Sequence, residues 1–416
     1  MRVPDTMLQT NFMKNLSRNK SLLAEIQNQL TTQSKVNKPS DNPLSNSRIM
    51  RLQNQISNLD TYKSNIDYGL SMIDDSILSM ESMQTTVQDV MVQLTNVNSA
   101  IVSDQLDSFA SSIDSALNIL VDLANSSFNG QYNFGGTESG IKPFYYDKAN
   151  NVVVTNNDHI GGDRNVKIAS SITEKFNISG KDLFLSVVEQ KGNLNSSAGI
   201  GTDQTTSNKI YDSDGNEYTL NLTYTSTAAN TYNLNYNIVD KDSNVISNDT
   251  VSDITFDSET GEFKSIGSSV FGEIKIQNSD NKIDFVLDLN SIKEKNSSAN
   301  LNSTLNQKAD IFNTLIGIKE KLLAGEKPTD EQQKIVSDFN QLLLDKLSEA
   351  GGISNKLNST KEILLNKEIE LKDLLSSEKD VDVARALLDL ENSQYVLDIS
   401  YKISSMVLPK SLLDYM

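Results

Sequence analysis

Side chains that could do chemistry are few and scattered in this chain of 416 residues. His159 is the only histidine, and the chain contains no cysteine. A general base or a metal ligand needs partners at bonding distance, and no second histidine or thiolate exists to supply them. We therefore expect His159 to lie in a surface turn. The sequence predicts no catalytic residue, no metal site and no cofactor.

Two groups of carboxylates have spacings that approach known sites. Asp212 and Asp214, followed by Gly215, resemble part of a calcium loop. An EF-hand needs aspartate five residues before its glycine, and Ile210 occupies that position, so a hairpin turn is the better interpretation. Asp380 and Asp382 form a possible carboxylate pair. Near a helix start they are better explained as caps that oppose the helix dipole.

A glycine-rich stretch, residues 129–137 (NGQYNFGGT), is the remaining candidate site. It lacks the GxxxxGK[ST] pattern, and no strand–loop–helix unit surrounds it, so it does not indicate a nucleotide site. We interpret it as a turn, a short strand and another turn. The sequence as a whole therefore predicts a protein that is not an enzyme.

Charge and composition exclude further classes. Acids outnumber bases 55 to 37, for a formal net charge of −18. Such a surface repels nucleic acid and anionic membranes, so we predict neither partner. The N-terminal sequence MRVPDTMLQTNF has no apolar signal-peptide region, and no apolar run reaches membrane-spanning length. Composition alone leaves two locations open, the cytoplasm and export without a cleaved signal.

Apolar residues at three- and four-residue spacing define long helices that pack along narrow seams. The longest run covers residues 49–101, where only Lys63, Gln84 and Asn98 interrupt the apolar series. Shorter runs occupy residues 12–30 and 353–374. Because a lone helix cannot bury such a seam, the early and late helices must cover one another. The first segment is net basic and the last net acidic, which predicts that the terminal helices pair.

A sharp boundary separates the first two helices. Pro39 excludes the preceding residue from helical geometry, and Asn42 can cap a helix that begins at Pro43. We predict a hinge at Pro39, Asp41, Asn42 and Pro43.

From about residue 145 to residue 290 the apolar period changes to two, which predicts half-buried antiparallel strands. Residues 291–304 are polar and are interpreted as a return linker, with helical spacing resuming at Leu301. The predicted fold class is α+β: a long antiparallel α-helical coiled-coil rod from the N- and C-terminal segments, with an inserted antiparallel β domain. We expect three parts: residues 1–40 plus 376–416 as terminal coiled coil, 41–144 plus 301–375 as rod, and 145–300 as outer β domain.

Several stretches resemble a known family. They are MRVPDTMLQTNF, the PSDNP turn at 39–43, the glycine–aromatic segment at 129–144, and an ending with Asp380, Asp382 and the terminal SLLDYM. Together they are similar to the bacterial flagellin superfamily, and most of all to its hook–filament junction branch. The resemblance covers roughly residues 1–144 and 305–416.

That resemblance implies a structural, self-assembling axial protein of the bacterial flagellum, located outside the cell. It implies export by the flagellar type III system without a cleaved signal peptide. The implied partners are further copies in a helical tubular assembly, hook protein or the other junction hook-associated protein, flagellin, and a flagellar export chaperone. The predicted assembly interface is the apolar set at the two ends, namely Phe12, Leu16, Leu23, Ile26, Leu30, Tyr395, Ile399, Ile403, Met406, Leu412, Leu413 and Tyr415.

Two alternatives stay open from the sequence. One is a filament-forming flagellin subunit of the same superfamily. The other belongs to a different class, a glycan-binding or hydrolytic β domain carried on a coiled-coil stalk. The second alternative requires a concave pocket with clustered carboxylates or aromatics within residues 145–290, which their dispersed Tyr and Asp residues do not suggest.

Overall fold

The computed structural model describes residues 5–99, 105–155 and 160–407. Seven helices lie in these ranges: α1 Asp5–Thr32, α2 Pro43–Ser99, α3 Leu106–Ala124, α4 Gly180–Phe184, α5 Ile311–Leu323, α6 Asp330–Lys379 and α7 Val383–Val407. The α6 helix passes through Gly351 and Gly352 without a break. In the described part of the chain, no helix combines the length and apolar character needed to cross a bilayer.

Sixteen strands lie between α3 and α5 in the same ranges. They are β1 Ser127–Phe128, β2 Gln131–Tyr132, β3 Phe144–Asp147, β4 Val152–Thr155, β5 Asn165–Lys167, β6 Thr173–Lys175, β7 Val187–Asn195, β8 Asp203–Tyr211, β9 Glu217–Ala228, β10 Thr231–Val239, β11 Val245–Phe256, β12 Phe263–Ile266, β13 Glu273–Asn278, β14 Ile283–Asp288, β15 Ile292–Lys295 and β16 Asn300–Leu305. The predicted α+β class is confirmed.

The chain forms two compact units. Unit 1 contains Met1–Ser64 and Ser359–Met416, and unit 2 contains Asn65–Asn358. The helices α2 and α6 contribute residues to both units. The three-part division predicted from the sequence stays a prediction.

Unit 2 has a helical core that α2, α3, α5 and α6 share with the loops around β1–β4. Met80, Met83 and Val90 of α2 are fully buried in it. The ring of Phe184 lies at its centre, 5.0 Å from Phe144 and 5.2 Å from Phe312 between ring centroids. The main helical partner of α3 is α5. The heptad pattern of the long helix is thus used here for burial against several elements.

The β domain of unit 2 consists of two five-stranded sheets with a shared apolar core. One sheet has the order β12-β11-β10-β9-β8 and is antiparallel throughout. The other has the order β13-β14-β7-β15, with β16 also paired to β7. Alternating residues such as Leu220, Leu222 and Tyr224 point inward, as their period of two predicts.

Two features of the second sheet differ from the sequence expectation. The strands β14 and β15 pair with β7 in parallel, which residue alternation alone cannot reveal. Residues 291–304 are not a linker, since they contain β15 and most of β16. Leu301 and Leu305 pack on the sheet core instead of starting a helix. Polar residues alternate with them along β16, and an alternation this short does not distinguish a strand from a polar loop.

The β8–β9 turn fixes the first sheet to the start of α6. Thr329 and Gln332 form a reciprocal capping box, in which each backbone N–H donates to the other side chain at 3.1 Å. Gln332 Nε2 also donates to Asp214 Oδ1 at 2.9 Å. The Thr329 hydroxyl donates to the Asp214 carbonyl at 3.2 Å. These hydrogen bonds therefore join the β8–β9 turn to the N-terminus of α6.

Candidate assembly interface

The carboxylates that resembled catalytic or metal sites have structural partners. Asp212 Oδ1 accepts the backbone N–H groups of Asp214 and Asn216 at 2.9 and 2.8 Å, which closes the β8–β9 turn. Asp382 Oδ1 accepts the N–H of Arg385 at 3.1 Å and caps α7. Across the described ranges, no group of three or more acidic or histidine side chains is placed to hold a metal. His159 lies outside the described residues.

In unit 1 the terminal helices α1 and α7 pack against one another. They run antiparallel, because Ser34 bridges Asp380 at one end while Lys20 lies near Tyr401 toward the other. The Lys20 ammonium is 5.4 Å from the Tyr401 ring centroid, a cation–π contact. Pairing of the terminal helices is thus present within one chain. Whether the opposite net charges of the two terminal segments drive this pairing stays a prediction.

The predicted interface residues of α1 are used inside this pair. Leu16 and Ile26 are buried at 9% and 8% exposure. Phe12, Leu23 and Leu30 are half-buried at the same helical spacing. This face of α1 covers α7, and the opposite face carries polar side chains such as Lys14 and Arg18. The α1 helix therefore has one buried apolar face, and Met13 and Leu22 are exposed outside it at 52% and 49%.

The other helix of the pair has two apolar faces. Its inner face follows four–three spacing and is buried or half-buried, with Ala386, Leu390, Ser393 and Leu397. Its outer face (Leu388, Tyr395, Ile399 and Ile403) is exposed at 62%, 67%, 38% and 42%. Three of these residues follow an inner-face residue by two positions, about 200° around a helix. The outer face therefore points away from the buried seam.

The sequence expectation selected Tyr395, Ile399 and Ile403, and the structure places all three on the exposed outer face of α7. It did not include Leu388, which lies on the same face. It also did not recognise that α7 has a second, inner face that packs on α1. The four–three spacing from Ala386 to Leu397 could have revealed the second seam. Among the other predicted positions, the side chain of Met406 and residues Leu412, Leu413 and Tyr415 lie outside the described part of the structure.

The predicted hinge segment lies beside the break between α6 and α7. The Lys35 N–H donates to the Lys379 carbonyl at 2.7 Å, and the Val381 N–H donates to the Gln33 carbonyl at 3.1 Å. Gln33 has a φ of 54°, a conformation that non-glycine residues rarely adopt. The two breaks are thus joined through their backbones.

Within the hinge itself, side chains hold the turn. Asn42 Oδ1 accepts the Ser45 N–H at 3.0 Å, so Asn42 caps α2 as predicted. Asp41 Oδ2 accepts the N–H groups of Asn37 and Lys38 at 3.1 and 2.8 Å. Pro39, Asp41, Asn42 and Pro43 are all exposed. Whether this segment moves as a hinge stays a prediction.

Lys63, one of the polar interruptions in the long seam, faces a buried carboxylate in unit 1. Its ammonium pairs with Glu368, whose side chain is 9% exposed, and with Asp60 at 2.8 Å. The hydrogen bonds that the Lys63 ammonium donates to Asp60 and Glu368 raise the pKa of Lys63. Those from Lys372 and Lys63 lower the pKa of Glu368. Arg48 and Glu378 form a second contact between α2 and α6 at 3.0 Å. These pairs fix the axial register of the two helices.

Replacing Lys63 with methionine is expected to destabilise unit 1 by about 1–3 kcal/mol, because Glu368 loses a partner while buried. Thermal unfolding of the full chain followed by circular dichroism measures the change. The matched control is Lys367→Met, since Lys367 and Glu370 are 55% and 66% exposed and form a pair on the same helix. A surface pair of this kind contributes about 0–1 kcal/mol. Equal losses in the two variants would contradict a register role for Lys63.

Comparison with known proteins gives two domain matches. Residues 3–139 match the family of the bacterial flagellin N-terminal helical region. Residues 189–309 match the flagellar basal body protein FlaE D2 domain. This second match covers most of the β domain, for which the sequence resemblance made no assignment. No curated protein matches the chain.

Two solved structures are similar to this chain over nearly the whole of their own length. Xanthomonas campestris FlgL has 17% identity over 78% of this chain and 99% of its own, with a TM-score of 0.46. Flagellar hook-associated protein-3 from Legionella pneumophila has 14% identity over 79% of this chain and 98% of its own, with a TM-score of 0.47. Since both scores are below 0.5, the assignment rests on the domain matches. Residues 3–139 therefore match the bacterial flagellin N-terminal helical region, in agreement with the sequence resemblance, and residues 189–309 match a flagellar D2 domain.

Proposed function

We propose that this protein is a structural, self-assembling axial component of the bacterial flagellum that joins hook to filament, of the hook-associated protein 3 type. The observation that carries the proposal is the outer face of α7, which stays exposed although the helix already packs on α1. An apolar face of this extent needs a further helical surface to cover it. In an axial protein, neighbouring subunits supply that surface.

The combination of domains favours a junction role over a filament subunit. The N-terminal region is of the flagellin type, and the D2 domain is of a type found in a flagellar basal body protein. A chain that joins both is suited to contact two different parts of one axial structure. The role is structural and requires no catalytic residue.

Each part of the chain has its own place in the proposed assembly. Residues 1–40 and 376–416 form the inner tubular layer of the assembly, residues 41–144 and 301–375 pack laterally, and residues 145–300 face outward. Hook protein or the other junction hook-associated protein lies on one side and flagellin on the other. The chain leaves the cell through the flagellar type III system, with an export chaperone that covers the apolar surface of its C-terminal helix before assembly.

Imaging of the tagged protein on intact flagella tests the location. We expect a single labelled zone where hook meets filament. Deletion of the gene is expected to release unpolymerised flagellin into the medium, because the filament has no platform on which to grow. Label along the whole filament, together with loss of flagellin from the medium on deletion, would support a filament subunit and contradict the junction role.

A further inference from the structure

A groove runs along one side of the α1–α7 pair in unit 1, with a volume of about 440 Å³. Leu22 of α1 and Val396 of α7 form its apolar walls and are 49% and 45% exposed. Ile26 and Ser393 are among its lining residues and are nearly buried. We call this surface the terminal groove. On α7 it adjoins the outer face, because Val396 lies one position after Tyr395 and three positions before Ile399.

Ser393 gives the first sign that the groove is incomplete. It is 8% exposed, and its hydroxyl has no hydrogen-bond partner in the described part of the chain. Leaving a buried hydroxyl unpaired costs about 1–3 kcal/mol, so native structures generally provide a partner. The apolar walls and the unpaired hydroxyl together fit a third helix with apolar side chains and a polar group opposite Ser393.

Charge at the rim identifies the kind of helix. Glu25 on α1 and Asp389 on α7 line the two sides of the groove, are exposed, and have no ion-pair partner among the described residues. Lys14 and Arg18 of α1 are exposed bases, also without an ion-pair partner there. They precede Glu25 by eleven and seven positions, about 16 and 10 Å along a helix axis. The α1–α7 pair therefore presents exposed acids and exposed bases at different positions along its axis.

We infer that the terminal groove receives a second copy of this chain, which enters with the basic half of its α1. This inference rests on the proposed self-assembly. A neighbour displaced along the helix axis places its Lys14 and Arg18 against Glu25 and Asp389 of the first copy. Because groove and ligand helix are different surfaces, the contact is head-to-tail, a type that permits the open-ended repetition that growth of an axial structure requires.

A charge swap between copies tests this contact with the full-length chain. The groove variant is Glu25→Lys with Asp389→Lys, and the helix variant is Lys14→Glu with Arg18→Glu. Each variant alone is expected to raise the critical concentration for assembly at least about tenfold, because like charges meet. An equimolar mixture is expected to assemble near the wild-type concentration, since every groove in an alternating polymer then meets a helix of opposite charge.

The matched control is Asp242→Lys with Glu259→Lys, which reverses two exposed acids in the β domain and should leave assembly unchanged. Circular dichroism confirms that each variant retains its helices. The groove contact is wrong if the wild type and the groove variant assemble equally well. It is also wrong if the mixture fails to assemble, as each variant alone does. Either result, with wild-type assembly intact, leaves the proposed self-assembly standing. If wild type stays monomeric at every concentration, the proposed function fails, and the groove occupant fails with it.

Discussion

Replacement of Tyr395, Ile399 and Ile403 by serine is expected to weaken self-assembly strongly while leaving the monomer folded. These three side chains lie on the outer face of α7 and make the exposed apolar surface that the proposed assembly covers. Full burial of such a side chain contributes about 1.5–3 kcal/mol. Half of that for three residues amounts to about 2–4 kcal/mol, roughly 30- to 1,000-fold in critical concentration. Sedimentation velocity of the variant against wild type measures the shift.

The control for this variant removes three exposed apolar side chains from unit 2. Ile172, Ile200 and Val245 are 53%, 75% and 59% exposed, and their replacement by serine is expected to leave assembly unchanged. Circular dichroism should show full helicity in both variants, since neither change touches the inner face of α7. A critical concentration that moves equally in the two variants would contradict a specific role for the outer face.

Replacement of Asp310 by asparagine is expected to stabilise unit 2 at neutral and alkaline pH. Asp310 caps α5 by accepting the Asn313 N–H at 2.8 Å and is 7% exposed. Burial, together with the charge of Asp284, raises the pKa of Asp310 to about 7 from an ordinary value of 3.8, against weaker opposing effects of the hydrogen bonds from Asn313 and the charge of Lys275. The folded state therefore binds a proton that the unfolded state releases between these two values.

The direction of the pH effect on stability follows from the difference in proton binding between the folded and unfolded states. Where the folded state holds more protons, stability falls as pH rises, so ionisation of Asp310 destabilises the wild type progressively from about pH 4 to about pH 7. Asparagine keeps the capping oxygen and carries no charge. We expect the gain from Asp310→Asn to be small near pH 4 and to grow to roughly 2–4 kcal/mol at pH 8.

Denaturant unfolding of the full chain at a series of pH values measures this gain. The matched control is Asp382→Asn, which makes the same change at the exposed cap of α7 and should alter stability by less than about 0.5 kcal/mol at pH 8. A stability difference for Asp310→Asn that is constant across the pH range would show that Asp310 is not protonated in the folded state.

Much of the architecture follows from periodicity, since spacing along one chain fixes which residues share a face. The seam of the long helix predicted burial of Met80 and Val87, and alternation in the insert predicted the inward side chains of β9 and β10. The cap at Asn42 followed from residue type and position alone. These are local properties, and local sequence carries them.

The identity of distant partners could not be read in the same way. Lys63 was recognisable as a polar interruption, but its partner Glu368 lies 305 positions away. Likewise, α7 has two apolar seams, and only the packing of α1 determines which one stays exposed. Parallel pairing of β14 and β15 with β7 depends on the path of the chain between strands, which alternation does not encode.

In the proposed assembly, the terminal helices keep apolar surface for other copies of the chain. Sedimentation velocity of the wild-type protein over a wide range of concentration is the decisive measurement. We predict a cooperative transition from monomer to large, open-ended polymers above a critical concentration. A single monomeric species throughout that range, with the outer face of α7 still exposed, would contradict the account.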